Sequence, residues 1–94
     1  MKSQQWVPYR WEPVHWPGVD FRQTYAIDGT GVEDMLAVIG GRAWTFTVDN
    51  DGAELIIPDD ELAAVPDRSV AEVRIKTGGM WHVLCAGYLT RRLT

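Results

Sequence analysis

Gly40-Gly41-Arg42-Ala43-Trp44-Thr45-Phe46-Thr47-Val48-Asp49-Asn50-Asp51-Gly52-Ala53-Glu54-Leu55-Ile56-Ile57-Pro58 is the stretch whose reading decides the fold class. Trp44, Phe46 and Val48 alternate with Ala43, Thr45 and Thr47, a period of two that sets the large apolar groups on one face of a strand. Asp49-Asn50-Asp51-Gly52 then offers residues that tolerate positive φ, and the apolar run Leu55-Ile56-Ile57 returns until Pro58 ends it. The reading is a β-hairpin with one buried face.

The flanks carry the same signals. Upstream, Phe21, Gln23, Tyr25 and Ile27 alternate with Arg22, Thr24 and Ala26, and Asp28-Gly29-Thr30-Gly31 makes a turn. Met35 to Ile39 is an apolar pentad too short to separate a strand from a helical turn. Downstream, Asp59-Asp60-Glu61 ahead of Leu62-Ala63-Ala64-Val65 suits the start of a single helical turn. Ala71, Val73 and Ile75 against Glu72, Arg74 and Lys76 give a half-exposed strand, and Thr77-Gly78-Gly79 turns the chain into a last strand from Met80 to Thr90. That strand is apolar on both faces, with Trp81, Val83, Cys85 and Leu89 on one and Met80, Leu84, Ala86 and Tyr88 on the other. Gly87 within it predicts a bulge or a close backbone approach, and a bend there would let the second half change neighbours. Six or seven short strands with almost no helix predict an all-β fold, a small antiparallel β-sandwich.

Residues 1–19 read differently, as an extended arm ahead of a sandwich domain at residues 20–94. Trp6, Trp11 and Trp16 recur every five residues, a period that fits neither helix nor strand, and Pro8, Pro13 and Pro17 exclude a helix interior or a central strand. So aromatic an arm is expected to lie on something. It either covers an edge of its own sandwich or docks on a neighbour through Trp6, Tyr9, Trp11 and Trp16, residue types that commonly anchor interfaces.

Ninety-four residues suffice for one domain. A net charge of -4 argues against a general nucleic-acid binder, which needs clustered Lys and Arg. The charge is uneven, because from Arg74 onward the only charged residues are Arg74, Lys76, Arg91 and Arg92. This fits solvated strand faces or a dipolar docking surface. No apolar run approaches a membrane span and the N-terminus lacks a signal-peptide pattern, so a soluble chain is expected.

The single cysteine, Cys85, excludes an intrachain disulfide and a multi-cysteine zinc site, and reads as a small buried hydrophobe. His82 and Cys85 are three apart and fall on opposite strand faces unless a bulge intervenes, so they are not expected to form a nucleophile pair. His15 sits in the arm, far from a second ligand. Asp49 to Glu54 departs from a calcium loop, since Gly52 comes two residues early, and a hairpin turn explains it better. Asp59-Asp60-Glu61 reads as helix capping. No nucleophile elbow, phosphate-cradling loop, metal site or cofactor site is expected, and no enzymatic activity.

The order of features has a specific likeness. An Asp20-Phe21-Arg22-Gln23-Thr24 strand precedes an Asp-Gly turn and the Trp44-Thr45-Phe46 strand. A polar turn then enters Leu55-Ile56-Ile57, followed by Leu62-Ala63-Ala64-Val65-Pro66, Glu72-Val73-Arg74-Ile75, and Gly78-Gly79-Met80-Trp81 leading to Leu84-Cys85-Ala86-Gly87-Tyr88-Leu89. From about Asp20 to Arg92 this resembles the small β-sandwich domain of minor tail and other virion proteins of actinobacterial tailed phages, and it is similar in layout to the N-terminal sandwich of siphophage baseplate upper proteins. The Trp-rich arm and the lack of a further domain depart from that pattern. The resemblance implies an immunoglobulin-like sandwich that assembles into a virion in the host cytoplasm, as a minor tail or capsid-decorating protein among other virion proteins, with no catalytic residues to carry over. A carbohydrate- or host-surface-binding module, in which exposed Trp stacks on sugar rings, is the alternative.

Overall fold

The computed structural model of the chain describes residues 9–92, so Trp6 lies outside the described residues. In chain order the elements are β1 (Tyr9–Trp11), β2 (Val14–His15), β3 (Phe21–Tyr25), a 3-10 turn (Gly29–Gly31), β4 (Asp34–Ile39), β5 (Arg42–Thr45), β6 (Thr47–Val48), β7 (Ala53–Ile57), α1 (Asp59–Ala63), β8 (Val70–Thr77), β9 (Met80–Tyr88) and β10 (Thr90–Arg91). The fold is mostly β with one short helix, as the alternation predicts.

Two layers enclose the core. One is a five-stranded sheet in the order β1-β9-β8-β4-β5, the other a three-stranded sheet in the order β3-β7-β6, and β2 and β10 form a separate pair. The undecided pentad is a strand: β4 pairs antiparallel with both β5 and β8, so its backbone groups are satisfied from either side. Met35, Ala37 and Ile39 point inward beside Ile75, Val73 and Ala71 of β8, and Ala53, Leu55 and Ile57 of β7 face them from the other layer. Each fully buried Leu, Ile or Met here contributes about 1.5–3 kcal/mol relative to exposure. Two-residue turns at Gly40-Gly41 and Gly78-Gly79, with positive φ at all four glycines, close the β4–β5 and β8–β9 hairpins in the primed form that suits strand twist.

The stretch read as one strand from Arg42 to Val48 serves both layers. It leaves the five-stranded sheet at Thr45 and joins the three-stranded one at Thr47. Between them Phe46 is buried, donating its backbone N–H to the Met35 carbonyl at 2.9 Å and setting its ring against Tyr25. Asp49 closes the following turn, its Oδ1 accepting from the backbone N–H groups of Asp51 and Gly52 at 2.9 Å each.

In β9, a bulge interrupts the alternation expected of the last strand. Val73 pairs with Cys85 while Arg74 pairs with Val83, leaving Leu84 as the extra residue. The faces therefore swap partway along: Trp81, Val83, Ala86 and Tyr88 share the outer face, and His82 shares the inner face with Cys85. This corrects the expectation that His82 and Cys85 stand on opposite faces. Beyond it, Gly87 has β1 packed so closely that a Cβ there would overlap the Trp11 carbonyl oxygen. The strand then changes neighbours, from β1 to β2, as a bend at Gly87 predicts.

Candidate docking site

Residues 9–15 of the arm lie along the chain's own sheets. β1 pairs with β9 and β2 with β10, both parallel, whereas the sequence reading expected antiparallel neighbours throughout. The Trp11–Gly87 register turns the indole of Trp11 inward, where only 5% of the residue is exposed. Its ring meets Phe21 edge-on at 6.5 Å, and its Nε1–H donates to Gln23 Oε1 at 2.9 Å. Gln23 in turn donates to the Tyr25 hydroxyl at 3.0 Å. Burial pushes up the Tyr25 hydroxyl pKa, with Cys85 beside it adding to the shift, and burial also raises the Cys85 thiol, so that sulfur is held protonated among apolar groups. Trp11, read as an anchor for a neighbour, is thus an anchor for its own core.

Past His15 the chain turns outward. Trp16-Pro17-Gly18-Val19 is a four-residue turn closed by the Val19 N–H donating to the Trp16 carbonyl at 2.9 Å. Pro17 presets the first central φ, and Gly18 at φ 89 supplies the positive value that the second central position requires. The Trp16 side is left half in solvent at 50% exposure, and Val19 is exposed too. Arg92 lies over the Trp16 ring at 5.5 Å, a cation–π contact that limits where the indole can swing.

What holds the turn in place is a polar cluster behind it. His15 is 1% exposed, and both of its ring nitrogens are engaged. Nδ1 faces Arg91 Nε at 3.0 Å, and a guanidinium N–H can only donate, so Nδ1 is the acceptor and Nε2 carries the proton. Nε2–H donates to Asp59 Oδ1 at 2.7 Å, and the same oxygen accepts the Gly18 N–H at 2.9 Å. These hydrogen bonds, His15 first and Gly18 second, hold the Asp59 carboxyl below its ordinary pKa. Arg91 also donates to the Leu62 carbonyl at 3.0 Å and to that of Val65, capping the end of the α1 segment with a cation. From the other side, Asp20 Oδ1 accepts the Asp59 backbone N–H at 2.8 Å.

α1 and β10 therefore meet the arm at His15, and Asp20, just ahead of β3, joins them through the Asp59 backbone. The acidic run at the head of α1 does more than favour a helix N-terminus, since Asp59 fixes the turn and Glu61 accepts the Trp44 indole N–H at 2.8 Å. Sequence reading placed His15 in the arm without a role. Its partners are 44 and 76 residues away, beyond the reach of any local pattern.

Comparison with protein families, curated proteins and solved structures finds no match to this chain. The site is thus described by its own geometry. Of the four residues expected to anchor a partner, Trp11 is inside, Tyr9 and Trp16 are exposed on different parts of the arm, and Trp6 lies outside the described residues. Among the described residues no group of three or more His, Cys, Asp or Glu side chains is arranged to hold a metal ion, and no helix is long and apolar enough to cross a membrane.

Proposed function

We propose that the chain is a virion structural protein of a tailed phage, a minor tail or capsid-associated component that works by docking on another virion protein. The observation that carries the reading is the Trp16–Val19 turn: an exposed indole on a backbone fixed from behind by His15 and Asp59. A side chain ordered before binding loses little entropy when it binds, and Trp is the residue most often found at the energetic centre of interfaces. The other support is the order of sequence features, which resembles that of virion β-sandwich domains.

We read the two layers as immunoglobulin-like. The order β9-β8-β4-β5 in one sheet and β3-β7-β6 in the other follows a variable-type arrangement, with β1 lying on the outer edge of β9. The inter-sheet disulfide of antibody domains has no counterpart, since the chain has one cysteine.

The test is mass spectrometry of purified particles of the phage whose genome encodes the chain, made with the natural protein and with Trp16→Ala. The natural chain is expected at fixed stoichiometry, and the folded variant is expected to be lost from the particle. Absence of the natural chain overturns the virion reading. A saturable shift of tryptophan fluorescence on adding glycans would replace it with a carbohydrate-binding one.

A further inference from the structure

The outer face of the five-stranded sheet is a second surface, separate from the Trp16 turn. The strand registers arrange it in rows. Tyr88 and Val70 form the first, then Arg10, Ala86, Glu72, Val38 and Ala43, then Val83, Arg74, Leu36 and Thr45, and last Trp81, Lys76 and Asp34. Tyr88 is 61% exposed and Trp81 44%, so the described residues leave both ends of the face open. A sheet face turned to water is ordinarily polar, whereas among the described residues the middle of this one carries Val38, Ala43, Leu36 and Ala86.

We propose that this face binds a second copy of the same chain, packed face to face across a two-fold axis. Three features on the face select that occupant. Its charges are three basic (Arg10, Arg74, Lys76) and two acidic (Glu72, Asp34), nearly balanced on a chain of net charge -4, so two copies meet here without the repulsion their other surfaces would bring.

The second feature is that the rows are self-complementary. An axis lying in the interface, perpendicular to the strands at the level of Val73, sets each row on its mirror-ordered partner. Glu72 then stands over Arg74 of the second copy and Arg74 over its Glu72, converting the 2.7 Å pair within one chain into a four-membered network. The same operation brings Trp81 against the second copy's Tyr88, twice, as an isologous contact requires.

The third is area. The five strands have 3, 9, 8, 6 and 4 residues, which at about 4.8 Å by about 3.3 Å each span roughly 480 Å² per copy, or roughly 950 Å² for the pair, the size of a weak, reversible interface. Two twisted sheets stacked in this way align at about 30°, the geometry that sandwiches use internally.

Sedimentation equilibrium of the full chain tests the proposal. A reversible dimer is expected. Trp81→Ala and Arg74→Glu should each weaken it by about tenfold or more, while thermal melting shows the monomer still folded. Glu72→Arg combined with Arg74→Glu should restore the dimer, because the network is symmetric under exchange of signs. The Trp16→Ala variant should dimerise like the natural chain, which separates this inference from the docking role of the turn. A chain that stays monomeric at high micromolar concentration overturns the proposal, as does a dimer indifferent to Trp81 and Arg74.

Discussion

Trp11 and Trp16 stand five residues apart in the same proline-broken segment, and they have opposite fates. Trp11 sits in a strand whose parallel register with β9 puts it opposite Gly87, so its indole turns into the space between the sheets. Trp16 sits one residue past His15, at the point where the backbone leaves β2 and enters a turn. The difference teaches that the aromatic residues of the arm are not one set. One half of the arm is a missing edge of the domain, and the other half is a fixture mounted on it.

The comparison is broken most sharply by truncating the inner indole. Trp11→Ala removes a buried aromatic and leaves Gln23 without its donor, and is expected to cost about 3–5 kcal/mol, a large share of the total for a domain of this size. Chemical denaturation read by far-UV circular dichroism measures it. A loss below about 1 kcal/mol would mean that β1 contributes little to the core and that the whole arm is peripheral.

Gly87→Ala probes the same joint from the other strand. The added Cβ would overlap the Trp11 carbonyl, and because that atom belongs to backbone it cannot swing aside. The expected cost is about 1–3 kcal/mol, with β1 displaced from β9. Amide exchange should then be faster at Ala86 and Tyr88, whose N–H groups face the arm as those of Thr90 and Arg92 do, while β4 and β7 stay protected. Uniform loss of protection would show instead that the edge and the core unfold together.

How much of this was legible in the sequence follows from the range of the interactions. The hairpin at residues 40–58, the α1 turn and the β8–β9 hairpin rest on neighbours a few residues apart, and alternation plus turn residues are enough to read them. Gly87 was legible as a weak point because a glycine inside an apolar strand has few explanations. The faces of β9 were not, since the extra residue at Leu84 inverts every side chain after it and no local signal marks a bulge in a strand apolar on both sides. The parallel pairing of the arm was hidden for a similar reason: it joins residues 9–15 to residues 85–91, and no hairpin announces it. The His15 cluster draws on both ends of the chain, so only the assembled fold reveals it.

The outer half of the arm is sharpened by pH. Asp59 has a carboxyl pKa below its ordinary value because His15 and the Gly18 N–H both donate to it. A carboxyl lowered in the folded chain binds its proton more readily in the unfolded one, so its stabilisation is complete above the ordinary carboxylate range and is lost as pH falls toward the folded value. Asp59→Asn keeps an oxygen for the two donors but removes the titration. Its melting temperature is expected to fall less steeply than that of the natural chain between about pH 5 and pH 2. If the two acid limbs superimpose, Asp59 is not what ties the turn to the domain.

Trp16→Ala should change stability least of all. The side chain is half in solvent and, among the described residues, its ring contact is with Arg92, so the loss is expected to stay within about 0.5 kcal/mol. That small number is what gives the variant its value, because any loss of partner binding then belongs to the indole itself and not to a damaged fold. Replacing Trp16 by Phe or Tyr tests the same point without emptying the site. Binding that returns with either ring assigns the contact to aromatic packing, and binding that returns with neither requires the indole N–H as a donor. If Trp16→Ala instead unfolds the domain as Trp11→Ala does, the two halves of the arm are one structural unit, and the turn loses its claim to be a docking fixture.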